Sequence, residues 1–403
     1  MKRIVIFHPF LGVAGGSERI TLEEEKYLNA NHIQAIIVTF EYKNIFNGSY
    51  RPNVRIIKTS NHFWLFKIIS RIIQLRKIIK EIKPDAIDVC NIEGCLYMYI
   101  STFLTQFKYF TQLPSSGYDN IDSYGENLIT YALGAKIFIP GYNKIRVSTP
   151  GHIKNLPEKW HQMKLFKQTF SNILGYITYR AVRKAVRKYV LSNQVKWEIE
   201  QLYDKDSIVL RGAYPNSIIG YKPLFNLKDS LNINNKKVIL SLCRLAPKKR
   251  VEWIIKAFNI LVNEGEKDSV LIIGSTGPSE EDLKLLVKQF NIENKVIFTG
   301  FIREDELYDY YYYCDVFVSA DYADYDITTY TAIGFNKNIV WSIDNELEPE
   351  LAKSNKIFPA ELSPEGFAIC LKKALYSPNQ KSKYVDMDYS WENYFESIYQ
   401  ISF

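Results

Sequence analysis

The chain has 403 residues, too many for one ordinary hydrophobic core; its 47% hydrophobic and 24% charged content is that of a globular protein with two domains of about 200 residues each. Its 51 Lys and Arg against 44 Asp and Glu leave a formal charge of +7, which calls for an acidic partner, although no nucleic-acid recognition module is visible. The five cysteines, at 90, 95, 243, 314 and 370, are scattered and odd in number, which argues against a disulfide framework or a zinc-type cluster and for reduced thiols in a cytoplasmic protein; the apolar run before His8 is too short for a signal peptide, and none approaches the roughly 20 residues of a transmembrane helix.

In chain order, Ile4 to Phe7 reads as a short buried strand leading through His8-Pro9-Phe10-Leu11-Gly12 to Gly15-Gly16-Ser17-Glu18-Arg19 and a helical pattern that ends near Asn29. A glycine pair at a helix start leaves backbone N–H groups free to face an anion or a sugar hydroxyl; alone, the pair is also an ordinary turn. From Phe63 to Lys83, Leu65, Ile68, Ile69, Ile72, Ile79 and Ile82 recur at helical spacing, ringed by Lys67, Arg71, Arg76, Lys77, Lys80 and Lys83, with Trp64 and Phe66 at one end. Two readings stand, a helix lying on an anionic membrane and a packing helix with a solvated basic face. A second basic stretch runs from Lys154 to Lys188. Tyr189–Ser192, a helical Gln194–Leu202 and Ser207–Leu210 complete a first domain of residues 1–214, and a polar linker follows near Pro215–Asn235.

The second domain, residues 236–378, alternates strands and helices regularly. Val238–Leu242, Ser269–Ile273, Lys295–Phe298, Val316–Ala320 and Asn338–Ser342 read as strands, separated by helical Val251–Val262, Glu280–Phe290 and Arg303–Tyr313 among others. That alternation means a parallel sheet covered on both faces. Gly274 and Gly300 close the second and third strands, where the lack of a Cβ lets a ligand come close or a chain turn tightly. Arg244 and Lys249 leave a short loop above the carboxyl end of the first strand, the usual ligand crevice of open α/β sheets. A diphosphate there would meet a guanidinium, an ammonium and a helix N-terminus together; the plain alternative is a solvated basic loop.

The order Arg244-Leu-x-x-x-Lys249, Leu-Ile-Ile-Gly274, Val-Ile-Phe-Thr-Gly300, Cys314-Asp315-Val-Phe-Val-Ser319 and Asp324-Tyr-Asp-Ile-Thr328 resembles the donor half of the glycosyltransferase family 4 enzymes. The resemblance implies the GT-B fold: α/β, two Rossmann-like doubly wound parallel-sheet domains facing a cleft, with the C-terminal helix, residues 388–403, crossing back to the first domain. It also implies a nucleoside diphosphate sugar as co-substrate, retention of configuration and no metal or other cofactor. Arg244 and Lys249 are then the catalytic cations on the leaving diphosphate. Gly274, Asp324, Asp326, Ile327, Thr328 and Thr331 would surround the donor, with its base near Phe301 and Ile302 and with Gly15 and Gly16 on the opposite wall. The phrase from His8 to Arg19 is similar to the opening of the mannosyltransferases of asparagine-linked glycosylation, which suggests a GDP- or UDP-linked hexose such as mannose, a lipid-linked or glycan acceptor, and peripheral contact with the cytoplasmic face of a membrane.

The chain departs from the family in three places. Both family glutamates of the donor loop are absent, with Ala323 and Thr331 in their positions. Asp326 stands where the family has glycine, leaving a rerouted loop or a sugar contact as readings. Ser148 replaces the acceptor-side histidine, and His152, four residues on, offers a substitute after a loop shift or is a surface residue. His8, Ser148 and His152 are therefore the acceptor-side candidates. The leading expectation is a retaining hexosyltransferase; the alternative is a GT-B scaffold that has lost catalysis and serves as a binding or partner subunit.

Overall fold

The computed structural model describes residues 2–12, 15–44, 50–59, 64–115, 165–321, 325–345, 348–377 and 388–402. The chain divides into two compact units, one from residues 1–45, 49–211 and 394–403, the other from 46–48 and 212–393. The expected sites at Ser148, His152, Ala323 and Asp324 lie outside the described residues, as do Lys154 and Lys164 of the second basic stretch.

The first unit is built on β1 (Arg3–Phe7), β3 (Gln34–Thr39), β5 (Val54–Ile56), β6 (Ala86–Cys90), β7 (Phe110–Leu113), β8 (Lys188–Val190) and β9 (Ile208–Val209), all parallel, in the order β5-β3-β1-β6-β7-β8-β9. A short parallel pair, β2 (Phe10–Leu11) with β4 (Glu41–Tyr42), stands apart from it. Helices α1 (Gly16–Ala30), α2 (Trp64–Ile82), α3 (Asn91–Thr102), α4 (Leu165–Lys184) and α5 (Asn193–Tyr203) connect the strands. Strand alternation sends Val5 and Phe7 into one core with Leu75, Ile79, Cys95, Met98, Ala181 and Ile199 of α2 to α5, while Ile4 and Ile6 are buried outside that cluster. Sheet order reverses between β1 and β6, so the loop after β1 and the start of α3, which follows β6 directly at Asn91, flank the switch point of this unit.

Helix α2 settles the ambiguity of its basic pattern in part. Ile79 and Ile82 are buried and Ile68 and Ile72 pack against the core, joined by Leu75 and Ile78. Ile69, expected on the same face, is 44% exposed and lines up with Phe66 at 60% and Ile73 at 61% as a second apolar stripe at helical spacing. Helix α5 is stopped cleanly at both ends: Ser192, expected as strand, accepts a hydrogen bond from Val195 N as N-cap, and Asp204 adopts the left-handed conformation after the last turn.

The second unit opens with a 3₁₀ turn, Asn216–Ile218, and α6 (Leu227–Ser230), within the segment expected as linker. Its sheet comprises β10 (Lys237–Leu242), β11 (Ser269–Gly274), β12 (Val296–Gly300), β13 (Val316–Ser319), β14 (Asn338–Ser342) and β15 (Ile357–Ala360), all parallel, in the order β12-β11-β10-β13-β14-β15. The helices are α7 (Val251–Asn263), α8 (Glu280–Gln289), α9 (Leu307–Tyr313), α10 (Ile327–Gly334), α11 (Pro349–Ala352) and α12 (Pro364–Tyr376). Val251, Ile254, Ile255, Phe258 and Leu261 give α7 a fully apolar face, packed with Phe367 and Leu371 of α12. Helix α9 starts four residues later than the pattern suggested, because Arg303 ion-pairs with Asp305 and Glu306 in the turn ahead of it. The last helix, α13 (Trp391–Ser402), belongs to the first unit from Tyr394 onward, where Phe395 packs on Tyr27 of α1.

Candidate active site

In the second unit the sheet order reverses between β10 and β13, so the loops after these strands frame its ligand crevice. The β10 loop carries Arg244, exposed, then a 3₁₀ turn at Pro247–Lys249 and the corner residue Arg250. The Lys249 ammonium reaches across to the carboxylate of Asp321 beyond the end of β13, forming a partly buried ion pair. Any diphosphate drawn to Lys249 therefore shares it with an internal carboxylate.

Arg250, which the sequence reading left inside the basic run, holds the two loops together. Its backbone sits in the left-handed region at φ 50°, ψ 35°, costly for any residue with a Cβ and sustained by the bonds of its side chain. The guanidinium donates from Nε to Ala320 O at 2.6 Å, from Nη2 to Asp321 O at 2.8 Å, and to both Asp344 oxygens at 2.9 and 2.8 Å, with its face over Trp253. The forked pairing with Asp344 is nearly sealed from water, so it fixes the loop that presents Arg244 and Lys249.

Asp326 is the N-cap of α10. One carboxylate oxygen accepts from the N–H of Thr328 at 3.2 Å, the N–H of Thr329 at 3.4 Å and the Thr328 hydroxyl; the other accepts from the hydroxyls of Ser319 and Thr329, both at 2.6 Å. These donors surround the carboxylate, the Thr328 hydroxyl also lying 2.9 Å from Leu242 O, so that Asp326 caps the start of α10. The N–H of Ile327 bonds Tyr325 O at 3.1 Å, so the backbone groups expected to hold phosphate at Ile327 and Thr328 are already engaged. Thr331, at a family glutamate position, is buried and its hydroxyl lies 2.8 Å from Ile327 O and 3.2 Å from Ala213 O. Gly274 is also explained internally, since a Cβ there would stand 2.3 Å from Leu242 Cδ2 and 2.8 Å from Ile302 Cδ1; side chains of the protein, rather than a ligand, claim that space. Gly300 has φ +67° with open space around it, the conformation that favours glycine. Phe301 beside it is 41% exposed and Ile302 is half-buried.

In the first unit, His8 follows β1 and is buried. Its Nε2 lies 3.2 Å from Ser17 Oγ, and the Ser17 hydroxyl donates to Glu18 Oε2 at 3.1 Å. Burial drives the imidazole down to about 3 and lifts the Glu18 carboxyl to about 7. Helix α1 begins at Gly16 with Gly15 as N-cap, and a Cβ on Gly15 would meet Glu18 Oε2 at 2.4 Å. Gly15 thus makes room for the Glu18 carboxyl over the helix start. Glu18 and Arg250 are the site residues that sequence reasoning passed over; the spacing of a glycine three residues before a glutamate was the available signal for the first.

Two parallel-sheet α/β units, each with polar loops at its switch point, constitute the GT-B fold, and the solved structures that the chain resembles bear this out. Sucrose-phosphate synthase from Thermosynechococcus elongatus superposes with a TM-score of 0.73 at 12% identity, covering 100% of this chain and 98% of that one. HepE from Anabaena, solved with UDP and glucose, gives 0.71 at 12% identity over 100% and 99%. Residues 225–387, within the second unit, match the family Glycosyl transferases group 1. An uncharacterized glycosyltransferase of Methanocaldococcus jannaschii is 24% identical over 241 residues, 55% of this chain and 61% of that protein. Alpha-monoglucosyldiacylglycerol synthase of Streptococcus pneumoniae is 33% identical over 108 residues, 27% of this chain and 24% of that protein. The matches thus span about three fifths and about a quarter of these two relatives.

Proposed function

We propose that the chain is a retaining glycosyltransferase of the family 4 type that moves a hexose from a nucleoside diphosphate sugar to a glycolipid or glycan hydroxyl without a metal ion. The observation that carries this is the placement of Arg244 and Lys249 on the loop after β10, at the switch point of the unit that matches the group 1 glycosyltransferases. As the bond from the anomeric carbon to the diphosphate breaks, its electron pair passes to the phosphate oxygen, and a guanidinium and an ammonium fixed nearby stabilise the charge that develops. Arg250 and Asp344 keep that loop in place before substrate arrives, so its backbone is set in advance and only the Lys249 ammonium has to divide itself between Asp321 and the diphosphate.

The name of the Streptococcus pneumoniae relative supports a glycolipid acceptor, and UDP bound to HepE supports a uridine donor, whereas the opening phrase of the chain supports GDP-mannose. Phe66, Ile69 and Ile73, exposed on α2 with Lys77 and Lys80, support contact with an anionic membrane from the cytoplasmic side. Among the described residues no helix is long and apolar enough to cross a membrane. Incubation with labelled UDP-glucose, UDP-galactose or GDP-mannose and a membrane lipid extract, with EDTA, tests the reading. Transfer of label to lipid or glycan that falls about 10²-fold in Arg244→Ala supports it, and transfer undiminished from wild type in both Arg244→Ala and Lys249→Ala removes the mechanism.

A second reading, the catalytically silent scaffold, is favoured by the engaged α10 terminus and by the pairing of Lys249 with Asp321. A folded protein that binds no nucleoside diphosphate is its expected outcome.

A further inference from the structure

The first unit contains a second group of titratable side chains that the proposed reaction does not use. Glu24 of α1 and Asp88 of β6 are both 0% exposed. Gln112 of β7 lies between them: its Nε2 donates to Glu24 Oε2 at 2.8 Å and to an Asp88 oxygen, and its Oε1 accepts from the Tyr394 hydroxyl at 2.8 Å. The Tyr399 hydroxyl donates to Glu24 Oε1. Both tyrosines belong to α13, so the C-terminal helix is fastened to the sheet through two carboxyl groups and one amide.

The titratable groups that feel the charge of the pair are Cys90 at the end of β6, which takes a hydrogen bond from Thr21 of α1, Cys95 of α3, and Tyr394 and Tyr399 of α13. No cation acts on either carboxyl among the described residues. Two buried carboxylates this close without a counter-ion cannot both ionise cheaply, so one keeps its proton. Burial raises Asp88 to about 6 and lifts Glu24 well above the ordinary carboxyl range, with the Asp88 charge adding to the rise. The two carboxyls titrate as a pair, the second to ionise doing so against the charge of the first.

We propose that this retained proton is a pH-sensitive latch: it keeps α13 docked on the first unit, and its loss sets a second negative charge beside the first and releases the helix. The sign follows from linkage. Both carboxyls are raised in the folded state, so the docking they support is fullest in acid and weakens as pH rises through the Asp88 range near 6 and on through the range in which Glu24 ionises. A neutral amide in place of the Glu24 carboxyl keeps an acceptor for Tyr399 and carries no proton to lose.

Amide hydrogen exchange of residues 394–402 in the full chain, from pH 6 to 9 and corrected for intrinsic exchange, tests the latch. The opening constant of wild-type α13 should rise with pH, by up to about tenfold per unit while opening releases one proton. Glu24→Gln should open equally above the Asp88 range, from about pH 7 to 9, and Tyr399→Phe should open more at every pH with the wild-type slope retained. An opening constant of wild type that does not change with pH, or a wild-type slope in Glu24→Gln, overturns the proposal. Should Glu24→Gln not fold, the wild-type profile decides alone.

Discussion

Arg250→Ala isolates the part of the site that rests on geometry most firmly. The substitution removes both bonds to Asp344, at 2.8 and 2.9 Å, and those to Ala320 O and Asp321 O, leaving the carboxylate with the Ser342 hydroxyl alone and two carbonyls without this donor. The guanidinium is 3% exposed and the Asp344 side chain 13%, so water cannot fully replace it. Breaking one side of such a pair costs about 3–5 kcal/mol, which in a unit of this size lowers the melting temperature by roughly 6–20 °C. Arg250→Gly should be less harmful by about 1 kcal/mol, because φ 50° is strained for alanine and free for glycine. Urea unfolding followed by circular dichroism, on both variants, on Asp344→Ala and on the double variant Arg250→Ala/Asp344→Ala, measures these costs and their coupling. A loss under about 1 kcal/mol for Arg250→Ala, or a double variant whose cost is the sum of the two singles, would refute the reasoning.

Asp326→Asn keeps an acceptor at the start of α10 and removes its charge, so UDP affinity by calorimetry should rise about tenfold, roughly 1–2 kcal/mol; unchanged or weaker binding means that the helix start does not face the diphosphate. His8 is held near 3 by burial, so the unfolded chain takes up a proton below about pH 6.5 that the fold refuses, and stability is lost as pH falls through that window. His8→Gln should lose less stability than wild type between pH 7.5 and 5 in urea titrations, and matching profiles would contradict this. Phe66→Ser/Ile69→Ser/Ile73→Ser should reduce sedimentation with phosphatidylglycerol vesicles about tenfold and leave the weak association with neutral vesicles unchanged; equal binding to anionic vesicles speaks against the α2 face.

The parallel strands of the second unit were legible because β10, β11, β13 and β14 each hold an apolar run bounded by turn residues or a helical period. The positions of Arg244 and Lys249 above a strand end followed from the same pattern. What stayed hidden depends on partners remote in sequence. Arg250 looked like one more cation of a basic run, because its ion pair lies 94 residues away and its left-handed corner leaves no trace in side-chain type. Asp326 invited a ligand role because nothing local shows that Ser319 and Thr329 turn their hydroxyls toward it. Glu24, inside an acidic helical stretch, reads as solvated; its burial requires Gln112 and Tyr399, placed by β7 and by the last helix. Gly274 was read as a place for a ligand, whereas the close approach is by Leu242 and Ile302.

The central claim, a nucleoside diphosphate held by the loop after β10, is tested most directly by thermal unfolding with UDP, GDP, CDP and ADP in the absence of metal, on wild type and on Arg244→Ala. The account predicts that one of them raises the melting temperature by a few degrees, as ligand at about a hundred times its dissociation constant should, and that Arg244→Ala abolishes the shift. A folded wild-type protein that responds to none of the four, or a shift that survives in Arg244→Ala, would contradict it.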